Sequence, residues 1–476
     1  MGEYIPSLIL AFGFLALIIA FWLFNKSRFT FSISSLVVSG LFFRIYSALD
    51  PFLHAWDERY HALVAKNLVK HPLVPTLYDL PLLDQDLLWV GGHIWLHKQP
   101  LTLWLISGSI SVFGNTDFAI RIPSILFSTA MIWLTYLIAK SLFTKRIGVL
   151  AGFFIAVNGL MIELTAGRVA TDHVDICFAF FIEISVYFAI KHWQNKKLVW
   201  VFLMSFSVGL AILCKWLPAL IVIPFWLILT YSKQNWKQAI SSLIISLFVI
   251  GAVFIPWQVY IHFTFPMEAT NEQSMNWRHF SEVLENRGGP FYYFLNKIRI
   301  NYGELIYLPL IWFFISGRRL LEKNIFISLG LWIIIPLVFF SIPLTKMQGY
   351  ILFIAPALFL VTAYFLENLN SIPLLKSKKW LPKLILFAFC FLAIRYSLER
   401  MKIGSERLEP KWKTEILDIA KNNEGKKLVL FNCQHYVEAM YYTELIAYDK
   451  IPNEADLKKI KEARYDYLIL PTKNRE

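Results

Sequence analysis

The sequence predicts an all-α polytopic membrane protein, with about twelve transmembrane helices, interfacial helices and a small C-terminal α/β domain outside the membrane. Three observations carry this. Of the 476 residues, 57% are hydrophobic and only 17% charged, whereas soluble domains run near 45–50% and about 25%. A single core cannot absorb that excess, so lipid is the second solvent. Apolar runs close to the roughly 20 residues that cross a bilayer recur along the chain. Most of the short-loop cations fall in every second loop, on one side of the membrane.

The runs give spans at 7–24, 31–49, 118–142, 147–164, 175–191, 199–213, 216–231, 240–262, 303–316, 326–342, 348–366 and 383–397. One set of short loops holds Lys26 and Arg28, Lys140, Lys145 and Arg146, Lys191, Lys196 and Lys197. The same set continues with Lys233 and Lys237, Arg318, Arg319 and Lys323, then Lys376, Lys378, Lys379 and Lys383. The opposite turns carry only Arg168, Lys215 and Lys346. This positive-inside bias orients the chain: the N-terminus, the long loops 50–117 and 263–302 and the tail face outside. A net charge of +13 then reflects topology and not nucleic-acid binding.

Residues 1–397 form the membrane domain and 398–476 the tail. In the tail, Lys427–Phe431 and Tyr465–Leu470 are predicted strands, and Tyr436–Thr443 and Asn453–Arg464 predicted helices, the last capped by Asn453. Such alternation favours a parallel sheet. A unit this small is marginal alone, so it is expected to dock on the outer loops.

The chemistry is expected in those loops. Tyr60, Leu63, Val64 and Leu68 recur at helical spacing, giving a helix too short to span, which is expected to lie in the interface. Asp57 and Glu58 open it, at the positive end of its dipole; read alone, Asp57 is equally an N-cap. His97-Lys98-Gln99-Pro100 precedes a second interfacial helix, Leu101–Phe113, and Arg121 follows. In Gly167-Arg168-Val169-Ala170-Thr171-Asp172-His173-Val174-Asp175, Arg168 and Asp172 fall four apart and can pair with each other. Lys215, between two spans, can snorkel. The second loop contains Asn276-Trp277-Arg278 and Asn286-Arg287-Gly288, read as interfacial belt residues. Lys346 and Tyr350, in Lys346-Met347-Gln348-Gly349-Tyr350, suit a phosphate at headgroup depth. Five cations (Lys98, Arg168, Lys215, Arg278 and Lys346) thus share one membrane face with two acidic sites.

Trp56-Asp57-Glu58-Arg59-Tyr60, Lys98-x-Pro100, Phe118 to Ser124, Thr171-Asp172 and Lys346-x-x-x-Tyr350 resemble, in order, the signatures of GT-C glycosyltransferases. The similar branch contains the aminoarabinose transferases of lipid A and the protein O-mannosyltransferase-like enzymes, and the resemblance covers about residues 31–366. It implies a GT-C fold, an Asp57-Glu58 catalytic pair with Asp57 as base, and Asp172 as the second acidic position. It further implies a polyprenyl-phosphate sugar donor, inverting transfer and an acceptor lipid, glycan or protein at the outer face of a bacterial inner membrane. Lys98, Arg278 and Lys346 would bind the carrier phosphate with Tyr350 nearby, joined by Arg168 and Lys215 on the same rim. His97 stands where the aminoarabinose branch tends to have a metal-associated Glu. A divalent ion there (zinc, magnesium or manganese) is therefore open, though one His without partners at ligand spacing does not establish it. The rival reading is a secondary transporter or lipid flippase, which would place its polar residues near the midplane in two repeated halves.

Overall fold

Apolar stretches bounded by cations, glycine and proline become helices wherever the bilayer leaves the backbone no other partner. The computed structural model describes residues 5–84, 91–231, 235–372, 375, 378, 380–405 and 407–471. Lys233, Lys376 and Lys379 of the cationic loops lie outside them.

Among the described residues, nine helices are long and apolar enough to cross a membrane. They are Ile5–Asn25, Phe29–Ser47, Asp117–Leu142, Asp172–Asn195, Leu198–Lys215, Trp236–Thr264, Lys323–Ser341, Gln348–Glu367 and Leu381–Met401. The predicted span 147–164 is a broken pair, Lys145–Ala156 and Gly159–Thr165, bent by 51°. The span at 303–316 is the second arm of another pair, Tyr293–Tyr302 and Glu304–Leu320, which turn by 120° at Gly303, whose φ of 109° suits glycine alone. The remaining run, 216–231, forms the shorter helix Leu217–Thr230. All twelve runs are therefore helical, but only nine are single unbroken spans by length.

The first break has an identifiable cause. Fully buried Arg44 gives NH1 to Ala156 O at 3.1 Å and Gly40 O at 3.0 Å, NH2 to Ile155 O at 3.1 Å, and Nε to Ser128 Oγ at 2.8 Å. It thus satisfies carbonyls that the helix end leaves open. Asn158 restarts the helix, its Oδ1 accepting from Met161 N at 2.9 Å.

Outside the spans, helices Asp57–Lys70 and Pro100–Phe113 match the expected interfacial pair. The apolar stripe behaves otherwise than expected: Tyr60, Leu63, Val64 and Leu68 are buried in one protein core with the tail and helix Pro100–Phe113. Lipid is not needed to cover that stripe, because protein does. The loop 263–302 is itself largely helical, as Pro266–Ser281 and Tyr293–Tyr302.

The tail holds a three-stranded parallel sheet with Leu428–Phe431 in the middle, flanked by Ile446–Ala447 and Asp466–Ile469. The two-residue strand Ile446–Ala447 is too short to leave a sequence pattern. Helices Lys411–Asn422, Tyr436–Tyr442 and Glu454–Glu462 accompany the sheet, the last begun by an Asn453–Asp456 capping box. Docking is polar as well as apolar. Lys66 Nζ donates to Met440 O, Tyr441 O and Thr443 O at 2.9, 3.2 and 2.9 Å, a cation on a helix C-terminus. Tyr442 Oη donates to Asp117 at 2.6 Å, and Lys413 Nζ reaches the same carboxylate at 3.1 Å.

Candidate active site

Asp57 is the first residue of its helix, but its carboxylate does not cap it: Trp56 holds the N-cap position, with no side-chain cap bond. Asp57 Oδ2 instead accepts from Thr171 N at 2.8 Å and lies 3.6 Å from Lys98 Nζ. Thr171 is held at φ 70°, an uncommon conformation for a β-branched residue and one that collects at functional sites. Burial alone would push the Asp57 carboxyl up. The charge of Lys98, with contributions from His61, His97 and the Thr171 N–H, more than reverses this and holds it well below the ordinary range. The group is a carboxylate at neutral pH.

A second acidic residue completes the cluster. Asp175, one turn into helix Asp172–Asn195, is paired with Lys215 and accepts from the Thr171 hydroxyl. The Lys215 ammonium lies 4.5 Å from the centre of the Tyr350 ring, a cation–π contact. Gly349 is needed beside it, since Asp175 and Thr171 fill the space where a side chain would project. The structure therefore brings Asp57, Asp175, Lys98, Lys215 and Tyr350 together, two carboxylates and two ammonium groups around one rim.

Other candidates lie elsewhere. Glu58 is fully buried and clamped by Arg121, at 2.7 Å to Nε and 3.0 Å to NH2. Its backbone ligand is His54 N at 2.7 Å, and Gly167, at φ 75°, passes directly over its carboxylate. Burial, which would raise it, is overcome by Arg121, and the Glu58 carboxyl is also held far below its usual range. Arg168 does not pair with Asp172. It binds Asp50 Oδ2 at 2.8 Å, Ser47 O at 2.9 Å and Arg400 O at 3.0 Å, with its side chain 2% exposed. Asp172 turns away from the rim to His61, Oδ1 to Nδ1 at 2.9 Å, both residues fully buried. Arg278 is bonded to Glu282 one turn on, at 2.9 Å, and half-exposed. Lys346 Nζ donates to Pro343 O, and its backbone N–H to Arg287 O at 2.7 Å.

That last bond shows what the sequence reading missed. Arg287 stacks over Trp56, the residue before Asp57, at 4.2 Å, and its segment pairs with Lys346 through the Gly288–Thr345 bridge. Its Gly-Gly-Pro setting resembled a belt loop. Asp175 went unassigned although it lies on the same motif as Asp172, and His61 although it follows Asp57 by one turn.

His97 lies 3.5 Å from the Glu272 carboxylate, and burial holds its pKa below the ordinary value, leaving the imidazole neutral at pH 7. Among the described residues no three His, Cys, Asp or Glu side chains are grouped to hold a metal ion. His97 and Glu272 alone do not supply the donor set of a tetrahedral or octahedral ion.

Residues 97–260 match the family of dolichyl-phosphate-mannose-protein mannosyltransferases. An uncharacterized protein of Aquifex aeolicus is 26% identical over 323 residues, 66% of this chain and 59% of the relative. An undecaprenyl phosphate-alpha-4-amino-4-deoxy-L-arabinose arabinosyl transferase of Pseudomonas fluorescens is 24% identical over 56% of this chain and 49% of its own. The chain thus spans about half the length of the curated relatives it matches. The crystal structure of ArnT from Cupriavidus metallidurans bound to undecaprenyl phosphate superposes with a TM-score of 0.67 at 16% identity, over 91% of this chain and 88% of that one. Helix order and the structural likeness make the chain an integral membrane protein with the GT-C fold, similar in part of its sequence to aminoarabinose transferases and to dolichyl-phosphate-mannose-protein mannosyltransferases.

Proposed function

We propose that the chain transfers a sugar from a polyprenyl-phosphate carrier to a hydroxyl of a lipid, glycan or protein at the periplasmic face of a bacterial inner membrane. The observation that carries this is Asp57: a carboxylate kept ionised, fixed by a backbone N–H, with two ammonium groups on the same rim. Asp57 takes the proton of the acceptor hydroxyl as that oxygen attacks the anomeric carbon. The bond from that carbon to the phosphate oxygen breaks with its electron pair on the phosphate, so one displacement inverts the configuration. Lys98 and Lys215 sit where they can meet the departing charge, an arrangement that stabilises the transition state without reorganisation. Asp175 keeps Lys215 aimed, and Tyr350 packs under it. The likeness to an aminoarabinose transferase and to the mannosyltransferase family supports both a pentose and a hexose donor.

The test supplies the purified protein with polyprenyl phosphate carrying labelled aminoarabinose or mannose, plus a membrane extract, and follows release of polyprenyl phosphate. Turnover of either donor supports the reading; turnover of neither, with intact donor binding, removes it. Asp57→Asn is expected to lower kcat by about 10²–10⁴, the usual worth of a general base, with donor affinity little changed. Near-normal turnover in that variant would take Asp57 out of the base role.

A further inference from the structure

Beside the Asp57 rim stands a third carboxylate, to which the transfer chemistry gives no role. Helix Pro266–Ser281 follows the span Trp236–Thr264, and its first turn is fastened to the protein: Ala269 is buried in one small cluster with Leu96, Leu213, Trp257 and Ile261. Leu96 precedes His97 and Lys98, and Leu213 stands two residues before Lys215. The cluster therefore backs the segments that bring both ammonium groups to the rim. Glu272, three residues past Ala269, lies on the same side of the helix and is carried to that edge.

Its carboxylate lies 3.5 Å from the His97 imidazole, and both side chains are largely but not wholly buried, at 16% and 15% exposure. Trp95, itself buried, packs T-shaped on the His97 ring with centroids 5.7 Å apart, so the imidazole is held in place. His97 and Asp57 act on each other's ionisation, which puts the pair beside the base and not on a separate surface. A carboxylate repels the carrier phosphate, and Asp57 already supplies the base. Among the described residues the one ion-pair partner of Glu272 is His97, whose neutral ring leaves the carboxylate charge open. Such a group accepts O–H and N–H donors through two oxygens. The anomeric carbon is one oxygen away from the phosphate that Lys98 meets, so the sugar ring falls next to Lys98, whose neighbour is His97. The hydroxyl and amino groups of that ring are the donors within reach.

We propose that Glu272, with His97 at its side, reads the donor sugar: its carboxylate accepts hydrogen bonds from hydroxyl or amino groups of the ring, while Lys98 and Lys215 hold the phosphate. This rests on the glycosyl-transfer reading and adds to it the residue that selects the sugar.

The experiment measures equilibrium binding to the purified full-length protein of polyprenyl phosphate bearing mannose, the same carrier bearing aminoarabinose, and the bare carrier. Glu272→Gln keeps the size of the side chain and removes its charge. It should weaken binding of a sugar-bearing carrier about tenfold or more, the worth of one charge-assisted hydrogen bond, and leave the bare carrier within about twofold. A loss for aminoarabinose alone supports the proposal through the ammonium; a loss for mannose, with or without aminoarabinose, supports it through hydroxyls. Equal loss for all three ligands would make Glu272 a prop for the phosphate site, and no loss for any would take it away from the sugar; either overturns the proposal. If Glu272→Gln melts below wild type, Glu272→Asp, which keeps the charge and shortens its reach, decides by the same comparison. Wild type that binds no sugar-bearing carrier removes the transfer reading itself, so the two failures are told apart.

Discussion

At the scale of single residues, the site separates groups that can meet a substrate from groups that hold others in place. Lys98 and Lys215 lie on the rim, whereas Arg278 is bonded to Glu282 on an exposed helix. Charge-assisted hydrogen bonds contribute about 1.5–3 kcal/mol each. Lys98→Ala and Lys215→Ala should thus raise the donor KM by roughly tenfold or more, and Arg278→Ala by less than about twofold. Equal effects in steady-state kinetics would mean that helix Pro266–Ser281 swings onto the donor. The pH profile gives a second test. The Asp57 pKa is depressed below its ordinary 3.8, so the base is ionised throughout the accessible range and becomes protonated only as pH falls through that lowered value. The rate should be flat from pH 7 down to about 5, and any stability contributed by this carboxylate is present above 3.8 and lost only below it. An acid limb centred above pH 5 would assign the titration to another group.

At the scale of elements, Glu58 and Arg121 join the interfacial helix to the span Asp117–Leu142. The pair is fully buried, and removing one partner leaves an uncompensated charge, at about 3–5 kcal/mol. Glu58→Gln should lower the melting temperature far more than Asp57→Asn does, and pairing it with Arg121→Met should recover part of the loss; thermal unfolding in detergent reads both. A Glu58→Gln protein as stable as wild type would release Glu58 for chemistry. The helices themselves were legible in the sequence because hydropathy must satisfy lipid: every one of the twelve predicted runs is helical. The breaks were not, since the bend at Val157 depends on Arg44, more than a hundred residues away, and no local pattern encodes it. The site was legible in part for the same reason. Asp57, Lys98, Lys215 and Tyr350 announce themselves as polar groups beside apolar runs, and these four do converge. Arg168 and Asp172 gave the same local signal, but their partners Asp50 and His61 are distant in sequence, so spacing suggested a pair that the fold does not make.

For the whole molecule, the tail and the outer helix share one hydrophobic core, so the element that bears Asp57 is ordered from outside the membrane as well as from within it. Lys66, by its three bonds to the end of helix Tyr436–Tyr442, fastens the two. Lys66→Ala should weaken this docking by about 1–2 kcal/mol and raise amide exchange in strand Leu428–Phe431 by roughly tenfold; unchanged exchange would make the junction purely apolar.

Arg44 carries a consequence for how the chain is made. None of the guanidinium partners outside its own helix exists until residues 128 to 156 have left the ribosome, and a lone arginine in a lipid-exposed helix is penalised by about 2.5–3.5 kcal/mol on the insertion scale. The span Phe29–Ser47 therefore has reason to linger beside the translocation channel, half-committed, until its later companions arrive to accept the charge. Biogenesis of this protein is a rendezvous of distant segments and not a strict first-in, first-settled sequence.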